Sequence, residues 1–411
     1  MIHCSISKFR KNREMERNKG FAKRTNSFQE SVIREMTRLG DETEAVNLSQ
    51  GLPDFSAPAE VLNAAIAAIQ HGENQYTFPF GAPDFRDAIA EKYLRDNGIM
   101  YDPATEITVT CGVSEAMIAT ILALTDPGDE IVILEPWYEN YVPDCVMAGV
   151  KPRFVALQGP GYRLDEEKLA EAFNEKTRLI LINTPHNPTG RVFNKSELEF
   201  IAALCRKHDV VAVTDEIYEY ILYDGVQHIS IASLKGMRER SVTISGLGKT
   251  FSVTGWRIGW AAACKPLSVL IRKVHDYLTV CAPAPFQKAG IAALSLEKDY
   301  FNHVKNQYAA AREIILPGLN DAGLKYFCPE GAYYIMADFS SIDWPKDKYK
   351  KPGWTIDRVF AEFIARDIGV AVVPGSSFFS SPVSGEYSVR INFAKKEGTL
   401  IEAVKRLRHL T

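Results

Sequence analysis

Between residues 106 and 263, short strand-like runs recur with helix-patterned segments between them. This rhythm limits the possible architectures more than any other feature of the chain. The runs are 107–110, 130–134, 153–157, 178–183, 210–214, 241–245 and 257–263. Several are continuously apolar, as at 131–134 and 179–182, rather than alternating. That is the pattern of strands covered on both faces. The intervening helical segments include 115–124, 166–173 and 195–208. Strands separated by helices pair in parallel, so the expected core is a mostly parallel sheet with helices on both sides.

After residue 300 the texture changes. A long helical stretch over 300–322 leads into short alternating strands near 333–338, 370–373 and 387–393, which predicts a smaller α+β domain. Composition excludes several other classes. Of the 411 residues, 46% are hydrophobic and 24% charged, which removes wholesale disorder and fibrous folds. A net charge of −3 creates no field suited to nucleic acid or an anionic membrane. No apolar run approaches the roughly 20 residues of a spanning helix. The seven cysteines contain no CxxC pair, so neither a metal site nor a disulfide framework is expected, and reduced thiols suit a cytoplasmic protein. Residues 1–20 are basic, broken by Glu14 and Glu16 and followed by no apolar segment, so a disordered extension is expected there rather than a secretory signal.

The chemistry concentrates around Ser245-Gly246-Leu247-Gly248-Lys249-Thr250. A triphosphate-binding loop needs glycine at position 243, which is threonine inside a predicted strand, so that reading fails. The longer pattern continues through Gly255-Trp256-Arg257-Ile258-Gly259. It resembles the signature of class I/II aminotransferases, fold-type I enzymes that use pyridoxal 5′-phosphate (PLP). The resemblance spans residues 22–411, and its nearest branch contains kynurenine, glutamine, methionine, aromatic and some aspartate aminotransferases. It implies a large PLP-binding domain over 49–299, with a mostly parallel sheet sandwiched by helices. It also implies a small α+β domain over 300–411 and an N-terminal arm over 21–48.

By matched positions, the resemblance implies that Lys249 forms the Schiff base with PLP and is the catalytic residue. Arg257 would present its planar fork to the phosphate. Val113 and Ser114, in Gly112-Val113-Ser114-Glu115, would bind the same phosphate from a helix N-terminus. Asp215, in Thr214-Asp215-Glu216-Ile217-Tyr218, would pair with the ring nitrogen. Tyr218 and Asn187, the latter in Asn187-Pro188-Thr189-Gly190, would bond the ring oxygen. The aromatic against the ring face falls on Tyr138 rather than Trp137. Tyr76 would reach the phosphate of a neighbouring subunit, implying a homodimer with shared active sites. Gly51, Ile33 and Asn187 would line the substrate site, and Arg390, in Tyr387-Ser388-Val389-Arg390, would grip the α-carboxylate.

Two departures bear on the expectation. Positions 246 and 248 are glycine where many relatives carry a hydroxyl, which leaves Ser245 as the nearest hydroxyl for the phosphate. The loop 280–283 and position 114 carry no cation for a distal carboxylate, and position 33 is isoleucine where kynurenine-type relatives have tryptophan. Neutral or aromatic side chains are therefore favoured, because a buried unpaired carboxylate is costly. The expected reaction moves an amino group from an L-amino acid to a 2-oxo acid. A PLP-dependent lyase, such as a C–S β-lyase, is the alternative on the same residues.

Overall fold

The structure, a computed structural model, describes residues 22–26, 28 and 30–410. The extension expected at 1–20 lies outside the described residues. The chain divides at Glu30/Ser31 into two compact units. In the first, Lys23–Asn26 form one 3-10 turn, and both the amide and the hydroxyl of Thr25 donate to the Ala22 carbonyl. The second, from Ser31 onward, holds all three sheets and the long helices.

In this second unit, seven strands form one sheet in the order Ile107–Thr110, Gly259–Ala263, Ser241–Gly246, Val211–Asp215, Thr177–Asn183, Glu130–Glu135, Lys151–Ala156. All neighbours are parallel except that Gly259–Ala263 runs antiparallel to both of its own. The reason is local. The link from Gly246 to Gly259 contains only turns and the short Thr254–Trp256 helix, with no crossover helix to carry the chain back for a parallel return. Successive strand residues face opposite sides of the sheet. Ile131 and Ile133 accordingly pack with Ala116, Met117 and Ile121, whereas Val132 and Leu134 pack with Leu169, Leu198 and Ile201. Both faces are covered, as the continuous apolar runs require.

A four-stranded antiparallel sheet lies further along the chain, in the order Val373–Pro374, Ser388–Asn392, Tyr334–Asp338, Lys325–Tyr326. The run expected as one strand at 370–373 is divided. Val370–Ala371 pairs in parallel with Val46–Asn47, and only Val373–Pro374 joins the four-stranded sheet. The helix Lys298–Asp321 buries Val304, Tyr308, Ala311 and Ile315 in the same core as Tyr333, Ile335 and Ile391. Among the described residues, no helix is long and apolar enough to cross a membrane.

Strand register sets where the loops of the large sheet emerge. Asn183 lies opposite Asp215, Asp215 opposite Ile244, and Gly259 opposite both Gly246 and Thr110. The carboxyl ends of the parallel strands thus finish in line, at the edge where open α/β sheets bind ligands.

Candidate active site

A cavity of about 700 Å³ opens at this edge. One end begins at Gly112, which has φ +84° and precedes the helix Val113–Leu124. No side chain caps that helix, so its first amides face the cavity unpaired, a ready anion cradle. A Cβ on residue 112 would stand 2.5 Å from the Arg257 guanidinium, so glycine is what lets that cation lie against the turn. The turn is braced from behind by Glu115. Its carboxylate accepts from the Cys111 amide at 2.5 Å, from Thr279 Oγ1 at 2.7 Å and from His275 Nδ1 at 2.6 Å. The other His275 nitrogen donates to the Pro79 carbonyl at 2.6 Å. Burial opposes charge on His275, but Glu115 outweighs it and holds the imidazole above its ordinary value, consistent with both nitrogens donating.

The floor of the cavity is built on Asp215. Its carboxylate accepts from the Tyr141 hydroxyl at 2.9 Å and from the Ile217 amide at 3.3 Å, and burial pushes its carboxyl up to about 6. Asn183 ties the floor to the neighbouring loop. Its Nδ2 donates to the Asp215 carbonyl at 2.8 Å, and its Oδ1 accepts from the Asn187 amide at 2.6 Å. Lys249 projects into the same space, its amine donating to the Gly51 carbonyl at 2.9 Å. Burial lowers its pKa, the direction that frees an amine for nucleophilic and base chemistry. Tyr218 and Tyr138 complete this wall. Trp137 instead stacks on Phe154 in the core, with centroids 4.7 Å apart.

Arg390 occupies the other end. It is 1% exposed, yet no carboxylate pairs with it among the described residues. One terminal nitrogen donates to Asn187 Oδ1 at 3.1 Å, the other to the Ser49 carbonyl at 2.7 Å, and Nε has no partner. The guanidinium lies between the rings of Tyr334 and Phe378, 4.6 and 5.1 Å from their centroids. A buried cation without an anion is costly, and a substrate carboxylate entering here removes that cost.

The structure therefore brings Ile33, Gly51, Val113, Ser114, Tyr138, Asn187, Asp215, Tyr218, Lys249, Arg257 and Arg390 to one cavity. Two expected residues are absent from its walls. The Ser245 hydroxyl donates to Glu219 at 3.1 Å, a carboxylate ion-paired with buried Lys92, because the strand's alternation turns this side chain away. Ser245 is thus corrected to a support beneath the site. Tyr76 is 81% exposed and lies outside this cavity. Position 246 has no room for a side chain: a Cβ there would meet the Ile258 carbonyl at 2.7 Å.

Sequence reasoning missed Tyr141, Asn183, Glu115 and Tyr334, whose roles depend on partners far away in the chain. It also missed Arg34. This exposed arginine lines the cavity, and its guanidinium has no ion pair among the described residues; Glu139, which accepts from Ser31 Oγ at 2.5 Å, shares that mouth. A second cavity of about 690 Å³, bounded by Phe55, Tyr300, His303 and Lys395, contains none of the expected residues.

The residues present fit PLP: an open helix N-terminus beside Arg257 for the phosphate, a buried carboxylate for the ring nitrogen, and a desolvated lysine amine within the same walls. Comparison with known proteins agrees. The family model for aminotransferase class I and II matches residues 43–407. The methionine aminotransferase of Escherichia coli is 35% identical over 381 residues, covering 92% of this chain and 96% of the relative. Human kynurenine–oxoglutarate transaminase 1 is 36% identical, covering 91% and 94%. The solved structure of N-succinyldiaminopimelate aminotransferase from Mycobacterium tuberculosis superposes with a TM-score of 0.90 at 36% identity, covering 95% of this chain and all of that one. These relatives are transaminases, which supports amino transfer and not the lyase alternative. The chain belongs to the class I and II aminotransferases and is a PLP-dependent transaminase acting on amino acids and 2-oxo acids.

Proposed function

We propose that this transaminase favours L-amino acid donors with neutral or aromatic side chains, and that it works as a cytoplasmic homodimer with shared sites. The carrying observation is the cavity's asymmetry: a buried, unpaired guanidinium at one end and a desolvated amine on the wall. Arg390 binds the α-carboxylate in a bidentate fork, kept in plane by Asn187 and Ser49. That grip aims the substrate Cα–H at the Lys249 amine, which takes the proton as general base and later returns it. PLP, when bound, supplies the electron-withdrawing ring through which the amino group is exchanged. Asp215 would hold the ring nitrogen, Tyr218 and Asn187 the ring oxygen, Tyr138 the ring face, and Arg257, Val113 and Ser114 the phosphate. Tyr76 would reach the partner's phosphate. Residues 49–299 form the domain that carries the cofactor, and 300–411 the smaller one that carries Arg390. Ile33 on the cavity wall suits an apolar side chain, and relatives named for methionine and kynurenine point the same way.

Initial rates across donors, each with 2-oxoglutarate or pyruvate, test this reading. Neutral and aromatic donors are expected to lead, and turnover confined to aspartate and glutamate would refute the preference. Arg34 adds an exposed cation to the same cavity for the distal carboxylate of 2-oxoglutarate, which favours that acceptor over pyruvate and makes glutamate, its amination product, a secondary donor beside the neutral and aromatic ones. Arg34→Ala is expected to raise KM for 2-oxoglutarate by about fivefold, the size of a partly solvated charge interaction. It should leave KM for pyruvate unchanged; equal effects on both acceptors would remove the distal-carboxylate role.

A further inference from the structure

Tyr334 belongs to none of the sequence motifs, yet it touches both ends of the site. It opens the strand Tyr334–Asp338 and is 1% exposed. Its hydroxyl lies 3.0 Å from that of Tyr218, with the rings at 89°. Its face carries the Arg390 guanidinium at 4.6 Å. The Gly51 backbone, whose carbonyl receives the Lys249 amine, is pressed against it: a Cβ at Gly51 would lie 2.0 Å from the Tyr334 oxygen. Gly51 is therefore glycine on account of Tyr334.

We propose that Tyr334 is a positioning residue coupling the two ends of the site: its hydroxyl donates to Tyr218, and its ring holds Arg390 in place for the substrate carboxylate. The direction of the hydrogen bond follows from counting protons. Each phenol has one to give. If Tyr218 donates to the cofactor's ring oxygen, its proton is committed, and the Tyr334 proton must supply the 3.0 Å contact. A phenol that accepts one hydrogen bond donates a stronger one, so Tyr334 sharpens the pull of Tyr218 on that oxygen. The proposal rests on the assignment of Tyr218 to the ring oxygen. The charged and titratable groups around this tyrosine pair include Lys249, Asp215, Arg390, Tyr138, Tyr308 and Tyr333.

The test uses cofactor-loaded enzyme and two readouts, the pH titration of the bound cofactor's absorption and KM for the amino acid donor. Tyr334→Phe keeps the ring and removes the proton. Tyr218 would then donate a weaker hydrogen bond to the ring oxygen, leaving the Lys249 nitrogen more basic. The titration midpoint is expected to rise by up to about one pH unit, the scale of one hydrogen bond, with KM unchanged. Tyr334→Leu also removes the ring and is expected to raise KM about fivefold, the scale of one cation–π contact. Tyr218→Phe alone should raise the midpoint further, and Tyr218→Phe with Tyr334→Phe should match Tyr218→Phe alone, because Tyr334 acts through Tyr218. A Tyr334→Phe titration coincident with wild type, while Tyr218→Phe shifts, would overturn the proposal and leave the Tyr218 assignment standing. An unshifted Tyr218→Phe titration would overturn both.

Discussion

Replacing Lys249 with alanine is expected to abolish amino transfer while the fold persists. Two functions vanish together, the nucleophile that anchors the cofactor and the base that moves the Cα proton, so the loss should reach at least about a thousandfold in kcat. The amine makes one hydrogen bond, to the Gly51 carbonyl, and carries no ion pair among the described residues. Its folded pKa lies below the ordinary 10.5 because burial disfavours the charge. An unfolded chain therefore binds this proton more readily than the folded one, and the charged lysine opposes folding at neutral pH. Removing it relieves that opposition. Far-ultraviolet circular dichroism of Lys249→Ala should match wild type, and its single-turnover rate should be undetectable. Retained turnover would remove Lys249 from the mechanism.

Arg390→Leu carries the second large effect. With α-amino acids, kcat/KM is expected to fall by about a hundredfold or more, the scale of a charge-assisted carboxylate pair lost from a buried site. The same variant should barely change the slow reaction with simple alkyl amines, which have no carboxylate to grip, so the ratio between the two substrate types is the diagnostic. Stability should respond differently from activity. Breaking a buried ion pair ordinarily costs about 3–5 kcal/mol, because one charge is left stranded. Arg390 strands none: its acceptors are Asn187 Oδ1 and the Ser49 carbonyl, both neutral. The ligand-free variant should therefore lose clearly less than that in a denaturant titration. A full ion-pair loss of stability would indicate an anionic partner inside the protein and contradict the substrate role.

Features coded locally were legible in the sequence. Continuous apolar runs such as 131–134 announced strands covered on both faces, and helices between them announced a parallel sheet. The residues around Lys249, Asp215, Asn187 and Arg390 sat in compact motifs, so their types and spacing were enough to select them. What escaped depended on contacts made across the fold. Tyr141 reaches Asp215 across 74 residues and Tyr334 reaches Tyr218 across 116, and nothing in the neighbourhood of either tyrosine marks it. Ser245 failed for a different reason. Its nearness to Lys249 along the chain suggests a role at the phosphate, but strand alternation sends its hydroxyl to Glu219 instead. The antiparallel direction of Gly259–Ala263 follows from a local feature, the lack of a crossover helix between it and Ser241–Gly246.

The most direct measurement is an absorbance scan of the cofactor-loaded enzyme mixed with single amino acids and no 2-oxo acid. The band of the Lys249-linked cofactor is expected to give way to that of its aminated form. One equivalent of the corresponding 2-oxo acid should appear with neutral or aromatic donors, and the change should be lost in Lys249→Ala and slowed in Arg390→Leu. Release of pyruvate and ammonia with the original band intact, or no cofactor band after loading with PLP, would contradict a Lys249-based amino transfer.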